Sequence, residues 1–180
     1  MKVIGINSSP RKKANTQTLV EAVLAGAAKN GAQTRMVNLR ELKINGCLGC
    51  EGCKKHLGKC VQNDDLTTLL QELTEYDAIV LGTPVYWFQV SAQFKMLVDR
   101  LYSFMQHTDP ETGEAVMRFE FPAGKKFILV VSSGAHEPDG VLPQLTDHFH
   151  QSQNIIPLSL VAASIESLHQ HGAQKAVGQS

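Results

Sequence analysis

All four cysteines of this 180-residue chain fall in one segment, "CLGCEGCKKHLGKC", as Cys47, Cys50, Cys53 and Cys60 with spacing C-x2-C-x2-C-x6-C. Two overlapping CxxC units let three thiolates converge on one centre, and Gly49, Gly52 and Gly58 permit the tight backbone this needs. Three chemistries use such a donor set. Iron–sulfur clusters take runs of three cysteines, and Cys60 lies close enough in sequence to complete a four-thiolate set for [4Fe–4S]. Structural zinc is thiolate-bound too, but usually by two separate ligand pairs. Free thiols or a redox disulfide form the third alternative. Ligand count favours the cluster and leaves the other two open.

A second constellation is "SSPRKKANTQT", which joins hydroxyls (Ser8, Ser9, Thr16, Thr18), the Asn15 amide and the cations Arg11, Lys12 and Lys13 at the start of an apparent helix. Free backbone N–H groups and the helix dipole favour an anion there, and the side chains complete a cage for a phosphate. Neither G-x-x-x-x-G-K-[ST] nor G-x-G-x-x-G is present, which argues against a P-loop nucleotidase and a Rossmann dinucleotide site. A mononucleotide phosphate held mainly by hydroxyls points to FMN. "TPVYWFQVSAQ" adds Tyr86, Trp87 and Phe88 in a row, flat apolar walls of the kind an isoalloxazine needs, or alternatively packing under the next helix. A third loop, "SSGAHEPDG", offers Ser133, Gly134 and Ala135, whose backbone groups can approach the pyrimidine edge of such a ring, and the histidine His136. No side chain reads as an acid–base catalyst.

Lys+Arg and Asp+Glu are both 17, so the formal net charge is zero and no nucleic-acid or anionic-membrane partner is expected. Hydrophobic content of 43% and charged content of 19% suit a soluble globular protein, read as a single domain over residues 1–180 with a cysteine-rich loop at 45–62. The opening "MKVIGINSSP" reads as a strand entering a loop, without a signal-type apolar run, and no segment is long enough to span a bilayer. A cytoplasmic location is the expectation. In that reducing setting clustered cysteines serve as ligands or redox groups rather than structural disulfides.

The elements that must position these groups alternate. Val3–Ile6, Thr34–Leu39, Ala78–Leu81, the run "KKFILVVSS" and Ile155–Ala163 read as strands. Helices are expected over Thr16–Asn30 with Gly31 as C-cap, from Asp64 or Asp65 onward, over Phe94–Phe104 and Val141–Gln153, with a weak last helix at the C-terminus. His107–Gly124 reads as a long polar connection that covers a partner or the site. Strand–helix alternation implies an α/β fold, a parallel sheet covered on both faces, with ligands beyond the carboxyl ends of the strands where strand order reverses. The sites should therefore lie after Ile6, Leu81 and Val131.

"GINSSPRKKANT" and "GTPVYWFQVSAQFKMLVDR" resemble the two flavin-binding segments of the NADPH-dependent FMN reductase group in the flavodoxin-like superfamily. With "CLGCEGCKKHLGKC" the resemblance narrows to the iron–sulfur flavoproteins; its motifs cover residues 2–105. It implies a flavodoxin-like three-layer sandwich with a five-stranded parallel sheet in the order 2-1-3-4-5. It also implies that Ser9, Arg11, Asn15, Thr16 and Thr18 hold the FMN phosphate, that Pro84, Val85, Tyr86 and Trp87 contact the ring system, and that Cys47, Cys50, Cys53 and Cys60 ligate the cluster. Gln93 and Lys95, on the following helix, read as interface residues instead. Ala14 departs from the pattern, since relatives commonly carry glycine before the asparagine.

The function so implied is an FMN-dependent oxidoreductase that passes electrons between FMN and a [4Fe–4S] cluster. Ferredoxin or NAD(P)H would be the donor and a small molecule the acceptor, in a homodimer or homotetramer. Two rivals stand beside it: a cluster-free NAD(P)H-dependent FMN, quinone or nitro-compound reductase, and a non-enzymatic flavin-binding redox sensor.

Overall fold

A computed structural model of the chain describes residues 1–134 and the strand Leu158–Ser164. Strand β1 (Lys2–Asn7) leads into helix α1 (Asn15–Lys29), which returns through Asn30 and the left-handed Gly31 to β2 (Gln33–Asn38). The cysteine segment and helix α2 (Asp65–Leu73) follow, then β3 (Ala78–Tyr86), β4 (Gln89–Val90) and helix α3 (Ala92–Arg100). A hairpin of β5 (Met105–Thr108) and β6 (Ala115–Phe119) precedes β7 (Lys126–Ser133) and β8 (Leu158–Ser164).

The main sheet runs β2-β1-β3-β7-β8, and every pair along that path is parallel. Beside the expected five-stranded parallel path, β4 adds a sixth strand, antiparallel to β3. Alternation along the buried strands sorts the core into two faces. Ile4, Ile6, Ile79, Leu81, Leu129 and Val131 pack against Leu66, Leu69, Leu70 and Leu73 of α2 and Phe94 and Leu97 of α3. Val3, Ala78, Val80 and Val130 face Val20 and Leu24 of α1 on the other side. Each helix buries the stripe that its i, i+3, i+4 spacing dictates.

Two glycines let α1 lie close to the sheet. A Cβ on Gly82 would stand 2.4 Å from Val20 Cγ2 and 3.3 Å from the Ile6 carbonyl oxygen; one on Gly5 would stand 2.6 Å from Val20 Cγ1. Val20 is β-branched and held in the helix, so it cannot swing aside. Gly82→Ala is therefore expected to destabilise the fold by about 1–3 kcal/mol, as overpacking of a close-packed core does. A lowered urea midpoint with unchanged slope would register it, and an unchanged midpoint would refute the close approach.

Three expectations need correction. The third strand does not stop at Leu81 but continues to Tyr86 and folds back on β4, because residues 82–84 keep pairing with β7 before Val85 and Tyr86 pair with Val90 and Gln89. The helix expected over Phe94–Phe104 is α-helical only to Arg100 and tightens to a 3-10 turn over Leu101–Phe104. The polar connection His107–Gly124 is largely the β5–β6 hairpin, turned by Asp109, whose carboxylate accepts from the Glu111 and Thr112 N–H groups. Its aromatic side chains anchor it: Phe119 and Phe121 stack at 5.6 Å and pack on Phe104 and Phe127 of the core. The helix expected at Val141–Gln153, the C-terminal helix, residues 155–157 of the fifth strand, Ala135 and His136 lie outside the described residues.

Candidate functional site

The strand order reverses between β1 and β3, and the loops that follow β1, β3 and β7 meet there. Helix α1 begins in the first of these loops. Its N-cap is Ala14, in extended conformation; among the described residues no side chain bonds the first-turn N–H groups, and the turn holds no acidic residue. A fifteen-residue helix thus presents an uncapped positive end. Around it Arg11, Asn15 and Thr18 are exposed, while Ser9 is buried. Asn7 shapes the turn: its Oδ1 accepts from the Ser9 N–H at 3.0 Å, and Ser9 Oγ accepts from the Arg11 N–H at 3.2 Å. Thr16 is buried and its hydroxyl is 2.6 Å from Ser132 Oγ on β7.

The second loop is a two-residue hairpin between Tyr86 and Gln89. Its central residues, Trp87 and Phe88, have φ of 48° and 62°. Turns with two left-handed residues match strand twist, but normally carry asparagine and glycine. Two bulky aromatics in that region hold strain, which persists only where the surroundings over-determine it, typically at ligand sites. Their rings are also in water: Trp87 is 91% and Phe88 65% exposed, Tyr86 is exposed, and Pro84 beneath them is buried with Val85 half-buried. From the third loop Ser133 is half-buried and Gly134 exposed.

Buried hydroxyls tie these loops into one unit. Ser8 N–H and Oγ both donate to the Gly82 carbonyl, at 2.9 and 2.7 Å. Ser91 Oγ lies 3.0 Å from the Ser8 carbonyl and 2.9 Å from Ser8 Oγ, and accepts from the Phe94 N–H as the N-cap of α3. The Ser91 N–H donates to Thr83 Oγ1 at 3.1 Å. The phosphate-type loop, the aromatic hairpin and β7 are therefore held at fixed spacing by polar contacts in a dry interior, where such bonds are strong.

The cysteines lie on the α2–α3 face of the sheet. All four thiols are free; Cys47 and Cys50 are exposed, Cys60 is half-buried, and Cys53 is buried on a 3-10 turn over Gly52–Lys55. Burial pushes the Cys53 thiol up, which Lys54 offsets only in part. Lys54 itself is plugged into the body of the protein, donating to the Tyr102 and Met105 carbonyls at 2.7 Å each and lying 3.6 Å over the Tyr102 ring. Gly58, with φ of 83°, donates to the Ser103 carbonyl at 2.7 Å and accepts from Gln71 Nε2. The loop is docked at both points. Its donor set has thiophilic chemistry, yet among the described residues no three His, Cys, Asp or Glu side chains are gathered to hold a metal ion.

The sequence model of the family described as NADPH-dependent FMN reductase matches residues 1–169. The chain belongs to that family. An iron–sulfur flavoprotein of Methanocaldococcus jannaschii is 47% identical to it over 100 residues, 56% of this chain and 51% of the relative. One from Archaeoglobus fulgidus is 38% identical over 104 residues, 58% of this chain and 47% of the relative. The chain spans about half the length of these curated relatives it matches. Among solved structures the azoreductase AzrA aligns with a TM-score of 0.68 over 99% of this chain and 94% of its own, at 16% identity, a likeness of fold.

For a member of the NADPH-dependent FMN reductase family, the three loops singled out in the sequence are tied together in the structure, but the sequence reading misses residues that set their geometry. Asn7, whose Nδ2 donates to Asn38 Oδ1 at 3.0 Å, Ser91 and Ser132 are buried polar residues with long-range partners. A signal existed for Ser91, whose position three residues before Phe94 at a helix start marks an N-cap. Asn7 and Ser132 sit at strand ends and carry no local mark.

Proposed function

We propose that this chain is an FMN-dependent oxidoreductase. The observation that carries the reading is the uncapped N-terminus of α1 facing the same sheet edge as two exposed aromatics held in left-handed backbone. An anion suits the first feature and a flat apolar ring the second, and a flavin mononucleotide has both. Ser9, Arg11, Asn15, Thr16 and Thr18 would hold the phosphate; Thr16 would do so while its hydroxyl stays tied to Ser132. Pro84, Val85, Tyr86 and Trp87 would line the ring, with Ser133 and Gly134 at its pyrimidine edge. When bound, FMN supplies two-electron and one-electron redox chemistry. The protein's part is to fix the ring against β3 and β7, exclude water beneath Pro84 and neutralise phosphate charge with Arg11.

Cys47, Cys50, Cys53 and Cys60 would hold a [4Fe–4S] cluster, a reading supported by the four free thiols and by the names of the relatives. NAD(P)H or ferredoxin would donate electrons to a small-molecule acceptor, in a cytoplasmic homodimer or homotetramer. Exposed Leu48 and Val61 on the cysteine loop and Trp87 on the hairpin are apolar surface that such an assembly would cover.

A cluster-free NAD(P)H-dependent reductase is the second reading, favoured by the thiols' not being gathered. An anaerobic preparation separates the two. Bound FMN with roughly four iron and four sulfide per chain is the expected result. Bound FMN without iron after anaerobic reconstitution, bleached rapidly by NADPH, would establish the second reading. A chain that binds no FMN would refute both.

A further inference from the structure

Arg100, the last residue of α3, is the largest of the fully buried side chains, with 0% of its side chain exposed. A charge so placed is costly unless its hydrogen bonds are met. Nη1 donates to Asp64 Oδ2 and to the Asn45 carbonyl, both at 3.0 Å. Nη2 donates to Asp64 Oδ1 at 3.0 Å and to Thr67 Oγ1 at 2.6 Å. Nε, equally buried, has no hydrogen-bond partner among the described residues.

These partners flank the cysteines. Asn45 precedes Cys47, and Asp64 and Thr67 follow Cys60. Further bonds close the same neck: the Asn45 N–H donates to Asp64 Oδ2, Gln62 Nε2 donates to the Gly46 carbonyl, each at 3.0 Å, and Thr67 Oγ1 donates to the Gln62 carbonyl.

We propose that Arg100 is the positioning residue of the cysteine site, its forked nitrogens closing the neck of the loop that carries Cys47, Cys50, Cys53 and Cys60. The inference rests on the cysteine site of the proposed function. Only a planar fork reaches Asn45, Asp64 and Thr67 at once, and a lysine ammonium does not. Because the neck is already closed while the thiols are still apart, loading has to reorganise only the segment between Asn45 and Gln62.

The test compares the full chain with Arg100→Lys and with the double variant Asp64→Asn/Arg100→Met, which leaves no unpaired buried charge. Far-UV circular dichroism reports folding, trypsin cleavage after Lys55 and Lys59 reports the neck, and anaerobic Co2+ titration followed by thiolate-to-cobalt absorption reports the site. Both variants are expected to stay folded, to be cut faster, and to bind Co2+ about 10–100-fold more weakly, the usual cost of losing a residue that orients metal ligands. Cleavage and Co2+ affinity within about twofold of the parent would overturn the proposal while leaving the cysteine site intact. Loss of fold in both variants would also overturn it, by assigning Arg100 to general stability. A parent chain that binds no Co2+ would remove the cysteine site itself, and the positioning role of Arg100 with it.

Discussion

Asp64→Ala is expected to destabilise the protein by about 3–5 kcal/mol, because it strands the Arg100 guanidinium, wholly buried, without its counter-ion. Asp64 is itself only 5% exposed at its side chain and does three jobs: it pairs with Arg100 through both oxygens, caps α2 by accepting from the Thr67 N–H, and accepts from the Asn45 N–H. Chemical denaturation would read the loss directly. Asp64→Asn/Arg100→Met should recover most of it, since the asparagine keeps a cap acceptor and neither buried charge remains. A single variant costing less than about 1 kcal/mol would mean that the pair is not closed in solution.

The same carboxylate sets an acid limit. Burial alone would push the Asp64 pKa up, but hydrogen bonds from Arg100 and the backbone N–H groups of Asn45 and Thr67 outweigh it and bring it down to about 2. The folded value lies below the ordinary 3.8, so the unfolded chain takes up the proton first. The contribution, on the order of 2 kcal/mol, is complete above about pH 4 and lost as pH falls through about 2. A urea midpoint that falls over this window in the parent, and falls less in the double variant, is the expected pattern.

Ala14→Asp should move stability and flavin binding in opposite directions. Aspartate at an extended N-cap bonds the free first-turn N–H groups and complements the helix dipole, which is expected to stabilise the flavin-free chain by about 0.5–2 kcal/mol. The same carboxylate would stand where the proposed phosphate binds. Two unit charges about 5 Å apart at an effective dielectric near 20 repel by about 3 kcal/mol, so FMN affinity should fall about 100-fold. Riboflavin, which lacks the phosphate, should bind the variant and the parent alike. Ala14→Ser, which caps without charge, separates the two effects and should retain most FMN affinity. An Ala14→Asp chain that binds FMN as tightly as the parent would remove the phosphate from the α1 terminus.

Much of the framework was legible because its signals are local. Apolar runs at Val3–Ile6 and Ala78–Leu81, the i, i+3, i+4 leucines of α2 and the Asp64 cap each declare themselves within a few residues. The hydroxyl-rich loop before α1 and the cysteine spacing are similarly compact, so the residue types they offer were legible, while the cysteine spacing left cluster, zinc and free thiols open. The β5–β6 hairpin was not legible, since its phenylalanines mark a buried face only once Phe104 and Phe127 are known to lie opposite.

By itself, then, the sequence showed the alternation of β1, β2, β3 and β7 with α1, α2 and α3, and the residue types that the loops between them offer. Tertiary structure alone decided how those residues are used. Nothing in the sequence singles out Arg100 within the helix expected over Phe94–Phe104, yet it is buried under the cysteine loop against partners 36 and 55 residues away. Thr16 reads as a phosphate ligand, yet its hydroxyl is bonded to Ser132 across 116 residues. Trp87 and Phe88 read as aromatics in a loop, while their left-handed backbone follows from β3 turning back on β4. Periodicity and capping report neighbours along the chain; burial, ion pairing and backbone strain are set by what the fold brings from elsewhere.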